Sequence, residues 1–126
     1  MTKKVYVKGT FDTPEINFDP NMGKFQISGR SLPANSVAFY EPVIKRVHEY
    51  LEEPEDQSLF EFKMDFISSS STKIFQDLFL ELYEKMQKGY EIQVNWYYRL
   101  GDDDMKELGD ELRQDTDLHV DFIAFE

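Results

Sequence analysis

The stretch ISSSSTK, residues 67–73, lies between two segments whose apolar residues repeat with different periods. The segment before it, Leu59 to Phe66, alternates with a period of two and so predicts a β-strand. One face of that strand is expected to carry Phe60, Phe62, Met64 and Phe66. The segment after it repeats at helical spacing, through Ile74, Phe75, Leu78, Phe79, Leu82, Tyr83 and Met86. The serines are therefore predicted to form a strand-to-helix turn.

Two interpretations of this turn follow from the residues alone. Ser and Thr are favoured N-cap residues, so the run is sufficiently explained as a helix cap. Alternatively, one serine accepts a phosphate, which the unpaired backbone N–H groups at the start of the helix would stabilise. On local pattern alone the helix cap is the favoured interpretation, because caps are common and regulated turns are not.

Composition restricts the class of protein. The 126 residues are expected to form one domain, residues 1–126, and 15% aromatic residues argue against disorder. The absence of cysteine excludes disulfides and thiolate chemistry, and fits a reducing cytoplasm. No apolar signal segment follows the first four residues, and no run reaches the length of a membrane span. A cytoplasmic protein is expected.

The charge balance restricts the partners. Twenty-five acidic residues against 14 basic ones give a formal net charge of −11. Such a surface repels nucleic-acid backbones and anionic membranes, so neither is expected as a partner. Basic protein surfaces are favoured instead.

The whole chain predicts the element order β, β, β, α, β, α, β, α, β. The first strand is Val5 to Val7, and a hairpin joins Glu15 to Asp19 with a strand that ends near Gly29. A helical pattern runs from Ser36 to about Glu52, but Pro42 suggests that the regular helix begins near Phe39 or Tyr40. The remaining predictions are strand 59–66, a helix to about Lys88 followed by Gly89 at the C′ position, strand 91–99, helix 105–113 and strand 119–125.

This order predicts an α/β fold: a single-domain mixed β-sheet with an N-terminal hairpin and about three helices. The alternation of strands and helices in the second half favours parallel pairing through right-handed crossovers. The hairpin adds antiparallel pairs to the same sheet.

Groups needed for catalysis are few. A serine hydrolase needs a base, and the two histidines, His48 and His119, are not near the serine turn in sequence. The G-x-S-x-G elbow and glycine-rich phosphate loops are absent from the sequence. Asp102, Asp103 and Asp104 lack the spacing of a calcium loop and are interpreted as an acidic turn before a helix. We therefore expect a binding protein without metal or cofactor rather than an enzyme.

Two further side chains are candidates for a partner surface. Tyr97 points opposite Trp96 on its predicted strand, so it would face a partner if Trp96 packs in the core. Leu80 falls outside the apolar stripe of the second long helix. Isolated apolar side chains on a surface are common, so both are also consistent with ordinary packing.

Several stretches resemble the SiaC-like regulatory phosphoproteins of bacteria, whose fold is similar to that of the STAS anti-sigma-factor antagonists. The resembling stretches are TFDTP (10–14), SLPANSVAFY (31–40), the turn 68–73 and NWYYRLGDDDMKELGDEL (95–112). In that family the turn reads roughly Asn-Thr-Ser-Ser-x-Lys, and its threonine accepts the phosphate. The resemblance implies Ser69 as the acceptor in this chain, with Ser68, Ser70 and Ser71 as alternatives and with Thr72 and Lys73 supporting the turn. Ser68 replaces the family's Asn, and Ser69 its Thr.

The resemblance also implies partners. A GHKL-type serine/threonine kinase would phosphorylate the chain and a PP2C-like phosphatase would reverse the modification. The phosphorylation state would control binding to an effector, a diguanylate cyclase in the SiaC group or an anti-sigma kinase in the wider STAS group. The alternative that this resemblance does not favour is a constitutive interaction scaffold in which the serine run is only a helix cap.

Overall fold

The computed structural model describes residues 3–114 and 116–126 and contains nine regular elements. The strands are β1 (Val5–Val7), β2 (Glu15–Asp19), β3 (Lys24–Ser31), β4 (Gln57–Ile67), β5 (Glu91–Arg99) and β6 (Val120–Phe125). The helices are α1 (Ser36–Glu52), α2 (Ser69–Gln87) and α3 (Asp103–Arg113). The predicted order of elements is confirmed.

The six strands form one mixed sheet in the order β1-β2-β3-β4-β5-β6. β1, β2 and β3 pair antiparallel, whereas β3, β4, β5 and β6 pair parallel. Each parallel pair is joined by one helix, as crossover connections between neighbouring parallel strands require. The predicted α/β class, the N-terminal hairpin and the parallel second half are therefore confirmed.

The two faces of the sheet differ in polarity. One face carries the alternate apolar residues of the strands, which pack with the helices into a core built around Phe18, Phe60, Phe62, Phe79 and Trp96. The opposite face carries mainly polar side chains, among them Gln26, Glu61, Gln93 and Asn95. None of the helices in the described ranges is long and apolar enough to cross a membrane.

A bulge near the end of β4 changes which residues face the core. Gly29 of β3 pairs with Met64 but the next residue, Arg30, pairs with Phe66, so Asp65 is an extra residue in β4. The expectation that Phe66 shares the face of Phe60 and Met64 is therefore wrong, and Phe66 is 43% exposed. Beyond the bulge Ile67 faces the core, so the bulge also sets the direction in which the chain enters the serine turn.

The prediction for the start of α1 is wrong. The helix begins at Ser36, six residues before Pro42, because Asn35 caps it: the Asn35 side chain accepts the Ala38 N–H at 3.1 Å. Pro42 lies inside the helix and has no N–H, so the carbonyl of Ala38, one turn earlier, has no donor within the helix. Both residues lie on the exposed side of α1. Because this side of α1 faces solvent, water is expected to replace the missing donor, and the helix continues through the proline.

The third helix packs its glycine against a tryptophan. Trp96 is fully buried, and its Nε1–H donates to the Met105 carbonyl of α3 at 2.9 Å. A Cβ atom added at Gly109 would lie 2.6 Å from Trp96 Nε1 and 2.7 Å from Trp96 Cδ1. Gly109 therefore lets α3 approach the indole ring at a distance that no other residue allows.

We expect Gly109→Ala to destabilise the protein by about 2 kcal/mol. In an exposed helix interior the same change would increase the stability of the protein by about 1 kcal/mol, because alanine is the better helix former. Here the methyl group meets a ring that cannot move within the core. Urea unfolding followed by circular dichroism measures the difference, with Glu107→Ala on the exposed side of α3 as the matched control. Equal or greater stability for Gly109→Ala would contradict the close approach.

Candidate functional site

The serine turn joins the end of β4 to the start of α2. Ser68 is the N-cap: its Oγ accepts the Ser71 N–H at 3.3 Å, and its carbonyl accepts the Thr72 N–H at 2.9 Å. The Ser68 N–H donates to the Ser31 carbonyl at 2.8 Å, which fixes the turn to the end of β3. Ser69 is the first residue of the helix. The sequence run thus does contain a helix cap, and the cap is Ser68.

Ser71 is fully buried and belongs to a cluster of hydroxyl groups. Its Oγ accepts the Ser31 hydroxyl at 2.8 Å and the Ser68 hydroxyl at 2.9 Å, and lies 3.3 Å from Ser36 Oγ. The Tyr40 hydroxyl lies 2.5 Å from Ser31 Oγ, and burial raises the pKa of Tyr40 to about 12. Because every member of the cluster has partners, Ser71 is held in the interior rather than presented at the surface.

Ser69 and Ser70 are both exposed, but their hydroxyls differ in their contacts. Ser70 Oγ lies 2.7 Å from Ser36 Oγ, a contact that joins the start of α2 to the start of α1. Within the part of the chain that the structure describes, the Ser69 hydroxyl has no hydrogen-bond partner. Of the four serines, only Ser69 has a hydroxyl that is exposed and makes no hydrogen bond within the described residues.

The two residues that follow the serines are bonded locally. The Thr72 hydroxyl donates to the Ser68 carbonyl at 3.0 Å, one helical turn back. Lys73 Nζ lies 2.9 Å from Asp77 Oδ1 on the exposed side of α2. Thr72 therefore supports the turn, whereas Lys73 already has an anionic partner in this structure.

We expect Ser68→Ala to cost about 1 kcal/mol of stability, the usual effect of losing an N-cap. The change removes the acceptor for the Ser71 N–H and one donor to the Ser71 hydroxyl. The free energy of unfolding in urea measures the effect. Ser69→Ala is the control, because that side chain caps nothing and its loss is expected to leave stability nearly unchanged. Equal effects of the two changes would contradict the assignment of the cap.

Tyr97 lies on the open face of the sheet, as the sequence predicts. Its hydroxyl donates to Glu61 Oε2 at 2.7 Å, and this bond raises the pKa of Tyr97. Burial raises the pKa of Glu61, but hydrogen bonds from Tyr97, Gln26 and Asn95 outweigh it and lower that pKa overall. Tyr97 is thus part of a polar network that crosses the strands.

Leu80 is 38% exposed on α2, again as expected. It lies eleven residues after Ser69, which is about three helical turns or roughly 16 Å along the axis. The structure therefore does not bring Leu80 next to the serine turn.

The side chains considered for catalysis or metal binding form hydrogen bonds or ion pairs away from the serine turn. His48 Nδ1 lies 2.6 Å from Glu81 Oε2, and His119 Nε2 lies 2.7 Å from Asp121 Oδ1. Asp102 caps α3 by accepting the Met105 N–H at 3.1 Å. In residues 3–114 and 116–126 no hydrogen bond joins a histidine to a serine of the turn, and no three metal-ligating side chains come together.

Sequence reasoning missed several side chains at the same edge of the sheet as the turn. The loop before β2, the start of α1 that follows β3, and the loop after β5 lie at the edge where the parallel strands end, together with the serine turn. Three large apolar side chains there are exposed: Phe11 (75%), Val37 (70%) and Leu100 (68%). The topology alone would have indicated them, since loops at the carboxyl ends of parallel strands converge.

Comparison with known proteins gives relatives over almost the whole chain. The chain is 28% identical to an uncharacterised protein of Pseudomonas aeruginosa strain UCBPP-PA14 over 111 residues, 88% of each protein. It resembles the structure of SiaC of Pseudomonas aeruginosa with a TM-score of 0.89 at 26% identity, covering 98% of this chain and 99% of that one. It also matches the crystal structure of diguanylate cyclase SiaD in complex with its activator SiaC, with a TM-score of 0.90 at 26% identity over 96% and 99% of the two chains. The profile of the SiaC family regulatory phosphoproteins matches residues 7–125, so the chain belongs to that family.

Proposed function

We propose that this chain is a phosphorylation-controlled binding protein in a partner-switching circuit of the bacterial cytoplasm. Ser69 is the phosphate acceptor, a GHKL-type serine/threonine kinase adds the phosphate, and a PP2C-like phosphatase removes it. The unmodified chain binds and activates a diguanylate cyclase. Any nucleotide or metal then belongs to the partner enzymes, and the chain itself binds rather than catalyses.

The observation that carries this proposal is the difference between Ser69 and its neighbours. Ser68 caps the helix, Ser70 contacts Ser36, and Ser71 is buried in the hydroxyl cluster. Ser69 is exposed at the first position of α2, and its hydroxyl makes no hydrogen bond within the described residues. A kinase can reach its hydroxyl without unfolding the turn, which is not true of Ser71.

The position of Ser69 also suits the modified state. A phosphoserine carries about −1.5 to −2 charges and three strong acceptor oxygens. At the first turn of α2 it meets the positive end of the helix dipole and backbone N–H groups that have no acceptor within the helix. The Ser68 cap does not use the Ser69 side chain, so it survives the modification. Phosphorylation is therefore expected to change the surface and leave the fold intact.

The effector is inferred from a relative. In Pseudomonas aeruginosa, SiaC forms a complex with the diguanylate cyclase SiaD as its activator. The present chain has the same fold over nearly its full length, with 26% identical residues. We infer the same class of effector, and the acidic surface of the chain favours a partner with basic contact residues.

Ser69→Ala is expected to abolish phosphorylation and to retain the fold. The acceptor hydroxyl is lost, whereas the hydrogen bonds of Ser68, Ser70 and Ser71 are unaffected. The measurement is the intact mass of the chain purified from its own cells, before and after treatment with a PP2C phosphatase, with fragmentation to locate the phosphate. Ser70→Ala is the matched control. Full phosphorylation of Ser69→Ala would show that another serine is the acceptor.

A constitutive scaffold is the second candidate function, and the Ser68 cap is the observation that favours it. It predicts a single unmodified mass under all growth conditions. The scaffold function does not explain why an exposed hydroxyl without a hydrogen-bond partner lies beside the cap. We therefore place this function second.

A further inference from the structure

Three side chains at the edge of the serine turn form a stacked cluster on the open side of the sheet. The Arg30 guanidinium lies 4.7 Å from the centre of the Phe11 ring and 5.5 Å from the centre of the Phe66 ring. Its Nε–H donates to the Phe11 carbonyl at 3.2 Å. The bulge at Asp65 makes this cluster possible, because it turns Phe66 outward beside Arg30.

The loop that carries Phe11 is held in one conformation. The Thr10 N–H donates to the Thr13 carbonyl at 2.8 Å, and the two threonine hydroxyls lie 2.6 Å apart. The Leu32 N–H donates to the Asp12 carbonyl at 2.8 Å, which ties the loop to the end of β3. Phe11 is nevertheless 75% exposed. The loop thus presents a large apolar ring to solvent at little further entropic cost on binding.

Arg30 differs from the other arginines of the chain. Arg46, Arg99 and Arg113 each form an ion pair, with Glu49, Asp65 and Asp110 respectively. Arg30 pairs with no carboxylate of the described residues, although the chain has 25 acidic residues. Its terminal guanidinium nitrogens therefore keep donors in the geometry that a carboxylate accepts in pairs.

The cluster lies next to the proposed phosphate acceptor. Arg30 pairs across the strands with Phe66, and the following residue of β3 accepts the Ser68 N–H through its carbonyl. Phe66 and Ser69 are three residues apart, so their Cα atoms are separated by at most about 10 Å. A protein interface of ordinary size, about 800 Å² on each partner, covers both.

We propose that Phe11, Arg30 and Phe66 form a recognition site for an acidic side chain of the diguanylate cyclase that binds at the serine turn. A carboxylate of the partner binds the guanidinium of Arg30, and an apolar residue beside it packs on Phe11. The proposal rests on the proposed function, because it requires a partner at the turn. Phe and Arg are residue types enriched in protein interfaces, and Arg is also enriched among the residues that supply most of the binding energy.

Two other occupants fit the cluster less well. A small free anion would bind Arg30 but would leave the exposed rings of Phe11 and Phe66 without an apolar partner. A second copy of the chain would bring together two molecules with a net charge of −11 each. A protein surface that offers one carboxylate among apolar residues satisfies both the rings and the guanidinium.

The wild-type chain is first used to capture a diguanylate cyclase from extract of the same bacterium. The captured cyclase is identified by mass spectrometry, purified and used in the test. Calorimetry with the unphosphorylated chain is expected to give at least tenfold weaker binding for Arg30→Gln and for Phe11→Ala. Arg30→Lys is expected to lose nearly as much, because an ammonium group neither stacks on the rings nor binds a carboxylate in two places. The matched control Arg46→Gln, on α1, is expected to bind within twofold of the wild type.

The outcomes separate this proposal from the proposed function. Binding of both Arg30→Gln and Phe11→Ala within twofold of wild type overturns the recognition site and leaves the phosphorylation switch intact. Failure of the wild-type chain to bind any diguanylate cyclase overturns both. Loss of binding in these variants, with phosphorylated and unmodified wild type binding equally, supports the site and overturns the switch. Phe11→Ala removes a side chain outside the core, so its result stands even if Arg30→Gln unfolds.

Discussion

Phosphorylation of Ser69 is expected to weaken binding of the chain to the proposed diguanylate cyclase effector by about a hundredfold, which corresponds to about 2.7 kcal/mol. The unmodified turn presents neutral hydroxyls that a partner can cover closely. A partner that covers a phosphate must remove water from a group with nearly two negative charges. Burial of an unpaired charge can cost several kcal/mol, so the expected loss requires only partial desolvation.

Long-range repulsion is too weak to produce this effect by itself. If the partner places a carboxylate on Arg30, that group lies on the order of 10 Å from the phosphate. A phosphate with about two negative charges and a carboxylate about 10 Å away repel by only about 0.8 kcal/mol in water, and physiological salt reduces this further. Desolvation at the turn must therefore supply most of the difference, and the switch should depend little on ionic strength.

Calorimetry on the phosphorylated and dephosphorylated chain checks this expectation, in low and in high salt. Ser69→Ala serves as the permanently unmodified control and should bind as the dephosphorylated chain does. Ser69→Asp should weaken binding by less than the phosphate, because one carboxylate has a smaller charge and fewer oxygens. Tighter binding of the phosphorylated chain would reverse the direction of the switch.

The sequence predicted the elements because the apolar periods are strong and the turn residues are placed where each element ends. Gly89, for example, follows α2 at the C′ position with φ +101°, which a glycine adopts without strain. Local pattern failed at α1, where the cap at Asn35 outweighs the disfavoured Pro42. It failed again at Phe66, because a bulge depends on the pairing with β3 and not on β4 alone.

The choice among the four serines could not be made from the residues alone. The helix cap Ser68, the buried Ser71 and the exposed Ser69 are the same residue type, so the sequence does not distinguish their roles. Ser71 is buried because Ser31 and Tyr40, which lie thirty or more residues away, provide its surroundings. The resemblance to the family implies Ser69 as the acceptor, and the exposed hydroxyl of Ser69, which makes no hydrogen bond within the described residues, supports that proposal.

A negative charge is expected to be tolerated at Ser69 and rejected at Ser71, and this contrast is the sharpest test of the turn. Ser71→Asp would place a carboxylate at a position with no solvent exposure, where its neighbours are hydroxyl groups with partners of their own. An unpaired buried charge of this kind costs about 3 kcal/mol or more. Ser69→Asp would instead place the charge at the exposed first turn of α2, where the helix dipole stabilises it by about 0.3–1 kcal/mol.

Ser71→Asn is the control that separates charge from size, because it has the shape of aspartate without the charge. Urea unfolding at neutral pH should rank Ser69→Asp at or above wild type, Ser71→Asn below it and Ser71→Asp lowest. The gap between the two Ser71 variants should shrink as the pH falls towards about 4, because burial raises the pKa of a carboxyl group and the protonated form then carries no charge. A stable Ser71→Asp with no such pH dependence would mean that the hydroxyl cluster opens readily, and Ser71 would again be a possible acceptor. The predicted ranking would instead leave the exposed end of the turn as the part of the serine run where a phosphate can be added and removed without unfolding α2.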